Sequence, residues 1–285
     1  MNYLKKLPTE NSVSSLSLSQ KCDLLGVPRS SLYYERKSNE NGDLANEIYE
    51  IWSRFSFYGY RKIGAELRRR GIEANHKKIR RIMREAGICA LVPGRHTATS
   101  TPGKERVAIP YLLTNRKIDA PHQVWQTDIT YIATDGGFVY LLALIDVFSR
   151  YVVAWRLSNV MDAELATGTL EQALRSHKPE IVNFDQGSQF TSKAWFDMLA
   201  DNGIAPSMTG KGRCIDNVYI ERFWRSLKVE EIYLNPHDSV AELRRNIAAY
   251  VEFYNNERPH QAIEYATPYE KLRSTTIGGI KQMAA

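Results

Sequence analysis

The sequence predicts a mixed α/β core preceded by an all-α region, and three observations carry that prediction. Apolar residues recur at helical spacing as far as Gly87, switch to strand spacing at Val124, and the balance of charge reverses across the same divide. Residues 44–92 hold eleven basic against five acidic side chains and residues 93–123 five against two, whereas 124–232 hold ten against fourteen. The overall net charge of +6 therefore conceals a basic module joined to an acidic one, the arrangement of a polyanion binder coupled to a site that uses carboxylates. A chain of 285 residues is long enough for two or three units, and 43% hydrophobic with 25% charged residues excludes a disordered chain, a collagen and a coiled-coil rod. The longest apolar run, 138–145, is strand-sized and far short of a membrane span. The opening MNYLKKLPTENSVSS lacks the apolar centre of a signal peptide, which points to the cytoplasm. Cys22, Cys89 and Cys214 form no CxxC pair or zinc spacing and read as reduced thiols.

Residues 1–43 contain SQKCDLLGVPRSSLYYERK, read as a helix closing at Gly26, a turn through Val27-Pro28 and a second helix from Arg29. This is the punctuation of a helix-turn-helix and equally of a short helical hairpin. Residues 44–92 carry three helical patterns, at 44–55, 61–70 and 75–85, broken at Gly59, Gly71 and Gly87, with Asn75 suited to cap the third. The outward positions of that helix include Lys77, Lys78, Arg80, Arg81 and Arg84, which could meet phosphate rows and a major groove or form a solvated charged face. Arg68, Arg69 and Arg70, one helix earlier, are expected to extend the same basic surface. The aperiodic, basic PGRHTATSTPGKER makes 93–123 a linker. Within 124–232, three hairpin-linked strands (QVWQTDITYI, FVYLLALI, RYVVAWRLS) are followed by a helix at 162–177, the short strand IVNF, the helix SKAWFDMLADNG, the strand IAPSM and a helix after Asp216. Residues 233–273 form a C-terminal helical segment whose last helix runs over 240–254, and 274–285 are a tail.

Three acidic residues stand out. Asp128 lies inside an apolar-flanked strand, where a charge is costly unless a salt bridge or a ligand compensates it. Asp185 follows IVNF and opens the polar loop DQGSQF, at the carboxyl edge of the sheet where sites are common; forming the turn beside Gly187 is its other reading. Glu221 sits on the helix whose Ile220, Phe223, Trp224 and Leu227 make an apolar face, and Asn217, Glu221 and Lys228 fall almost in register along it. Converging carboxylates repel unless they share cations, and two divalent metals about 3.5 to 4 Å apart would make them the cage of an in-line phosphoryl transfer. Asp146 is a rival carboxylate better suited to a turn, and His260 is suited to ordering the C-terminal segment.

These blocks carry a resemblance. WQTDITYI, LIDVFSRYVVAW, NFDQGSQF, GKGRCIDNVYIERFWRSLKVE and YNNERPHQAI, with CDLLGVPRSSLYY and FYGYRKIGAELRRRGIEANHKKIRRIMREAGI upstream, resemble the catalytic OrfB subunit of IS-three-type insertion-sequence transposases. The likeness spans nearly the whole chain, including 35 residues between Asp185 and Glu221 and Lys228 seven positions beyond. It implies an RNase H-like core similar to retroviral integrases, preceded by a helix-turn-helix DNA-binding region. It also implies catalytic and metal-binding roles for Asp128, Asp185 and Glu221, and Lys228 beside the terminal DNA. The implied cofactor is Mg²⁺ or Mn²⁺, as two ions. The implied partners are the element's terminal repeats and target DNA, an OrfA or OrfA-OrfB fusion, and further copies of the chain on paired ends, within the bacterial nucleoid. Two positions depart from the family pattern: Asn183-Phe184 replaces His-Ser before the second aspartate, and Phe190 stands where Tyr is usual. The first is expected to remove a polar contact behind the site.

Overall fold

The computed structural model describes residues 40–91, 109–134, 136–209 and 217–274, with a few positions between 19 and 29. Most of the helix-turn-helix expected at 19–37, the linker residues 93–108, the stretch 210–216 and the tail from 275 lie outside the described residues.

The basic module is a bundle of α1 (Glu40–Arg54), α2 (Tyr60–Arg69) and α3 (His76–Glu85). Ile48, Ile51, Ile63, Leu67, Ile79, Ile82 and Met83 close one core between them. Asn75 caps α3 by accepting the Lys77 N–H at 2.9 Å, satisfying one of the donors that the first turn leaves open. Helix α1 starts four residues before the apolar period expected from Leu44.

The second module is a five-stranded sheet in the order β3-β2-β1-β4-β5. β1 (Val124–Thr134), β2 (Gly137–Asp146) and β3 (Val152–Ser158) pair antiparallel, while β4 (Ile181–Phe184) and β5 (Ala205–Met208) join in parallel. Parallel neighbours need long crossovers, and α4 (Ala163–Leu174) and α5 (Lys193–Asp201) supply them. Asp162 caps α4 through the Leu165 N–H and Ser192 caps α5 through the Trp195 N–H. These two helices cover one face of the sheet, over Trp125, Leu142, Leu144, Val182 and Phe184. The other face, with Ile132, Leu141, Ala143 and Ile145, is covered by α6 (Val218–Leu227) and α7 (Val240–Asn256). A π-helical turn, Lys228–Ile232, extends α6.

The chain does not finish its helical structure at 254. After a 3-10 turn at Gln261–Ile263, residues 268–274 form another helix. Its start is a reciprocal capping box: Glu270 N–H donates to Thr267 Oγ1 at 3.1 Å and Thr267 N–H to Glu270 Oε2 at 2.7 Å, with Pro268 in the first turn. Residues 109–123 lie against the sheet, where Leu113 and Ile118 pack on Val124, Val147 and Ile181 and the Leu112 N–H donates to Ser207 Oγ. No described helix is long and apolar enough to cross a membrane.

Candidate active site and nucleic-acid interface

The two aspartates meet because of strand register. β1 and β4 are parallel neighbours with Gln126 opposite Asn183, and two residues further along each chain come Asp128 and Asp185. Asp128 points to the α6 face, where its Oδ2 accepts the Trp224 Nε1–H at 2.9 Å. No ion pair reaches Asp128 among the described residues, so the salt-bridge reading of this strand aspartate is not realised. Burial, then the charge of Asp185, pushes its carboxyl up to about 7, with Glu221 adding a smaller push and the Ile129 and Trp224 N–H groups opposing it. Asp185 is also raised by burial, and its Oδ1 accepts the Gly187 N–H at 3.0 Å. It is thus both a turn former and a carboxylate facing Asp128. A Cβ at Gly187 would lie 3.0 Å from that oxygen, so any larger residue would crowd the turn.

Helix α6 is clamped by the residues that flank Asp128. Gln126 Oε1 accepts the N–H groups of Tyr219 and Ile220 at 3.1 and 3.4 Å, satisfying first-turn donors, and Asn217 Nδ2 donates to the Thr127 carbonyl at 3.1 Å. Asn183 Nδ2 donates to Asn217 Oδ1, and Ser207 Oγ to Asn183 Oδ1 at 2.9 Å. Asn217, expected in register with Glu221 and Lys228, is accordingly buried and spent on Thr127 and Asn183. The expected loss of a polar contact at position 183 is also corrected, since the amide links β4, β5 and the start of α6. The second departure explains itself by packing: Phe184 and Phe190 lie 5.8 Å apart, centroid to centroid, and both abut Trp195. The two unusual residues are neighbours in one apolar cluster, a relation that separate inspection of each position could not reveal.

Glu221 is exposed on α6, its carboxyl raised by partial burial. Lys228 is half-buried at the start of the π-helical turn, where burial lowers its ammonium and the charge of Asp128 pulls the other way. Asp128 therefore feels Asp185, Glu221 and Lys228 together. Among the described residues no three His, Cys, Asp or Glu side chains are yet close enough to hold one metal ion. The donor chemistry nevertheless suits a hard divalent cation: Asp128 and Asp185 are oxygen donors raised by burial, with no ion pair among the described residues. Asp146 is different, being fully buried and satisfied by the His122 and Ser149 N–H groups and the Ser149 hydroxyl. His260 is pushed down to about 2 by burial and by Arg258, and packs edge-on to Tyr254.

On the helical module, Lys77, Arg80, Arg81 and Arg84 line one shallow groove with Tyr60 and Cys89, while Lys78 is half-buried and off that groove. The Arg80 guanidinium lies 5.2 Å from the Tyr60 ring centre. The arginines at 68–70 do not all extend this surface. Arg69 pairs with Glu270, Arg70 with Glu47 and Glu50, and Arg68 lies over Tyr265.

Residues 39–96 match the HTH-like domain family, and residues 119–214 and 202–268 match two integrase core domain families. The chain is 30% identical over 257 residues to the InsK protein of insertion sequence element IS150 from Escherichia coli (strain K12), covering 87% of this chain and 91% of that one. It is 34% identical over 224 residues to the transposase for insertion sequence element IS904 of Lactococcus lactis subsp. lactis (strain IL1403), covering 76% and 88%. Among solved structures, a chain of the simian T-cell lymphotropic virus intasome, complexed with PP2A regulatory subunit B56 gamma, superposes with a TM-score of 0.51 over 80% of this chain and 74% of that chain, at 18% identity. That likeness shows the fold, a mixed RNase H-like sheet behind a helical region. With a helix-turn-helix-like module, an integrase core and full-length insertion-sequence relatives all in one chain, this protein belongs to the OrfB-type insertion-sequence transposases of the Asp-Asp-Glu, retroviral-integrase superfamily.

Proposed function

We propose that the protein is the catalytic subunit of a DNA transposase, cutting at the 3′ ends of its element's terminal inverted repeats and joining them to target DNA. The observation that carries this reading is the pair Asp128 and Asp185, brought level by parallel register and left without an ion pair among the described residues, opposite the helix that bears Glu221. In the first reaction a water oxygen attacks phosphorus and the bond from phosphorus to the bridging 3′ oxygen breaks, that oxygen leaving as a 3′-OH. In the second, the same 3′-OH attacks a target phosphodiester and displaces its 3′ oxygen, the proton passing from nucleophile to leaving group. No bond to the protein is formed. Asp128, Asp185 and Glu221 would hold Mg²⁺ or Mn²⁺, as two ions, which supply charge neutralisation at the reacting phosphate. Trp224 and the Gln126, Asn217 and Asn183 clamp keep Asp128 and α6 in fixed relation. Lys228 lies beside the DNA end, and Lys77, Arg80, Arg81 and Arg84 meet the duplex, with Lys78 at the margin.

The division of labour follows the sequence: residues 44–92 bind the repeats, 124–232 cut and join, and an OrfA or OrfA-OrfB partner and further copies complete the assembly on paired ends in the bacterial cytoplasm. The test is a strand-transfer assay with candidate repeat duplexes and Mg²⁺ or Mn²⁺, with and without OrfA. Joined strands support the proposal. Binding without cutting would indicate a regulator or assembly scaffold, and degradation indifferent to sequence a general nuclease.

A further inference from the structure

The helical module and the catalytic core meet at a buried charged joint. Glu230, two residues beyond Lys228, accepts from Lys62 Nζ at 2.9 Å and Arg258 Nη2 at 2.6 Å through Oε1, and from Arg258 Nε at 2.7 Å and Tyr250 Oη at 2.9 Å through Oε2. Its side chain and that of Arg258 are each 8% exposed. Four donors from three places converge on one carboxylate: Lys62 belongs to α2, Tyr250 to α7, and Arg258 to the segment after α7. Around the joint, Phe55 stacks on Phe253 at 5.1 Å, Arg54 pairs with Glu257, and Arg69 reaches both the Glu257 carbonyl and Glu270.

A stack of apolar side chains would join two modules at least as strongly, because burying ions loses hydration that their attraction only partly restores. What a saturated carboxylate adds is direction: each donor fits one position. The surplus cation makes the same point. Arg258 makes two of the four contacts, one to each oxygen, and Lys62 one, so Lys62 is the second cation on a carboxylate that Arg258 already neutralises. The helix from Val218 continues without a break into the turn that holds Glu230, so a module anchored there is anchored to the element carrying Glu221 and Lys228. The α2 face used in the joint is also distinct from the groove lined by Lys77, Arg80, Arg81 and Arg84 on α3, which stays open.

We infer that Glu230 is a positioning residue that, through Lys62 and Arg258, sets the helical module at a fixed distance from α6, so that the docked module determines which phosphodiester reaches the carboxylates. This rests on the transposase reading for the cutting itself, but the joint can be measured without it. In the full chain, with Cys22 and Cys214 replaced by Ser, spin labels on Cys89 and on Phe138→Cys report the distance from the module to the far end of the β1–β2 hairpin. One narrow distance is expected with the native joint, and a broad distribution in Lys62→Met, which keeps the apolar stem and removes the charge. Glu230→Gln should broaden it further. On terminal-repeat DNA, Lys62→Met should bind with unchanged affinity, scatter its cuts over neighbouring phosphodiesters and join them about a hundredfold less well, the penalty of ångström-scale misplacement. A narrow distance in Lys62→Met, or a single cut at the native position, would overturn the inference. If the unaltered chain cuts nothing, the transposase reading fails, and the distance distributions alone decide the joint.

Discussion

Asp128, bonded to α6, and Glu230, in the turn that extends α6, both lose solvent, and they end in opposite states. Asp128 is raised to about 7 by burial and by Asp185, with one side-chain donor among the described residues, Trp224. Glu230 is lowered to about 2: its burial is overcome by Arg258 and Lys62, which saturate both oxygens. The difference separates a carboxylate kept available for a ligand from one consumed by the fold. Burial alone does not mark a site; a buried carboxylate with few donors and no ion pair is the better candidate.

The comparison breaks most visibly in activity. Asp128→Asn, Asp185→Asn and Glu221→Gln keep the shape and remove the charge, so strand transfer should fall on the order of ten-thousandfold, about 5.5 kcal/mol of transition-state stabilisation. DNA affinity should change little. The stability of Asp128→Asn should equal or exceed that of the native chain near neutral pH, because a carboxyl whose folded pKa is raised costs stability as pH climbs from 3.8 toward 7. Thermal melts of the metal-free variants check the sign, and a large drop in melting temperature would place Asp128 among the structural carboxylates.

Glu230→Gln is the mirror case. Removing one partner of a buried pair strands the other, so unfolding should cost about 3 kcal/mol less, measured by denaturant titration. Arg258→Met should do comparable damage by stranding Glu230, whereas the double variant should recover part of the loss. Lys62→Met, which removes the surplus cation, should leave stability nearly unchanged.

Much of this was legible in the sequence, and the failures have physical causes. Elements with a clear period or a cap appear near their predicted bounds, such as α3 behind Asn75 and α6 with its buried Ile220, Phe223, Trp224 and Leu227. The aspartates were individually visible, but only the pairing of Gln126 with Asn183 brings them level, and register between distant strands is not a local property. The helix at 268–274 had a readable signal, Thr267-Pro268-Tyr269-Glu270, that short length concealed. The arginines at 68–70 misled because a count of charge does not say which side chains spend theirs on Glu47, Glu50 and Glu270, far away in sequence or one helix back.

Acid should divide the two carboxylates again, with a smaller and more gradual effect. Glu230 has a depressed folded pKa, so its stabilisation is fully present above the unfolded value of 4.5 and is lost as pH falls toward about 2. His260, kept neutral in the fold, acts in the same direction: below 6.5 the unfolded chain takes up a proton that the folded chain refuses. Asp128, raised in the fold, regains stability over the same range, so the two declines are read in Asp128→Asn. There, denaturant titrations from pH 7 to pH 3 should show stability falling first below 6.5 and then more steeply below 4.5. With Glu230→Gln added, the second decline should be shallower, while the first persists. An unchanged second decline would show that other carboxylates govern acid unfolding.

The smallest effect concerns the cations that the fold leaves free, the counterpart of those it consumes. Lys77 and Arg84 line the α3 groove without an ion pair among the described residues, whereas Arg69 and Arg70 are engaged. If the groove follows the DNA backbone, each phosphate contact removed should lower the slope of log affinity against log salt by about 0.9 on duplex DNA. Lys77→Gln with Arg84→Gln should therefore reduce the slope by about two and weaken terminal-repeat and scrambled duplexes alike. Lys78→Gln, off the groove, should change it less. Should Arg84→Gln instead relax the preference for the repeat with little change of slope, that side chain reads a base edge. Should neither slope nor preference move in any of these variants, α3 is a solvated face, and recognition belongs to residues 19–37 or to the partner.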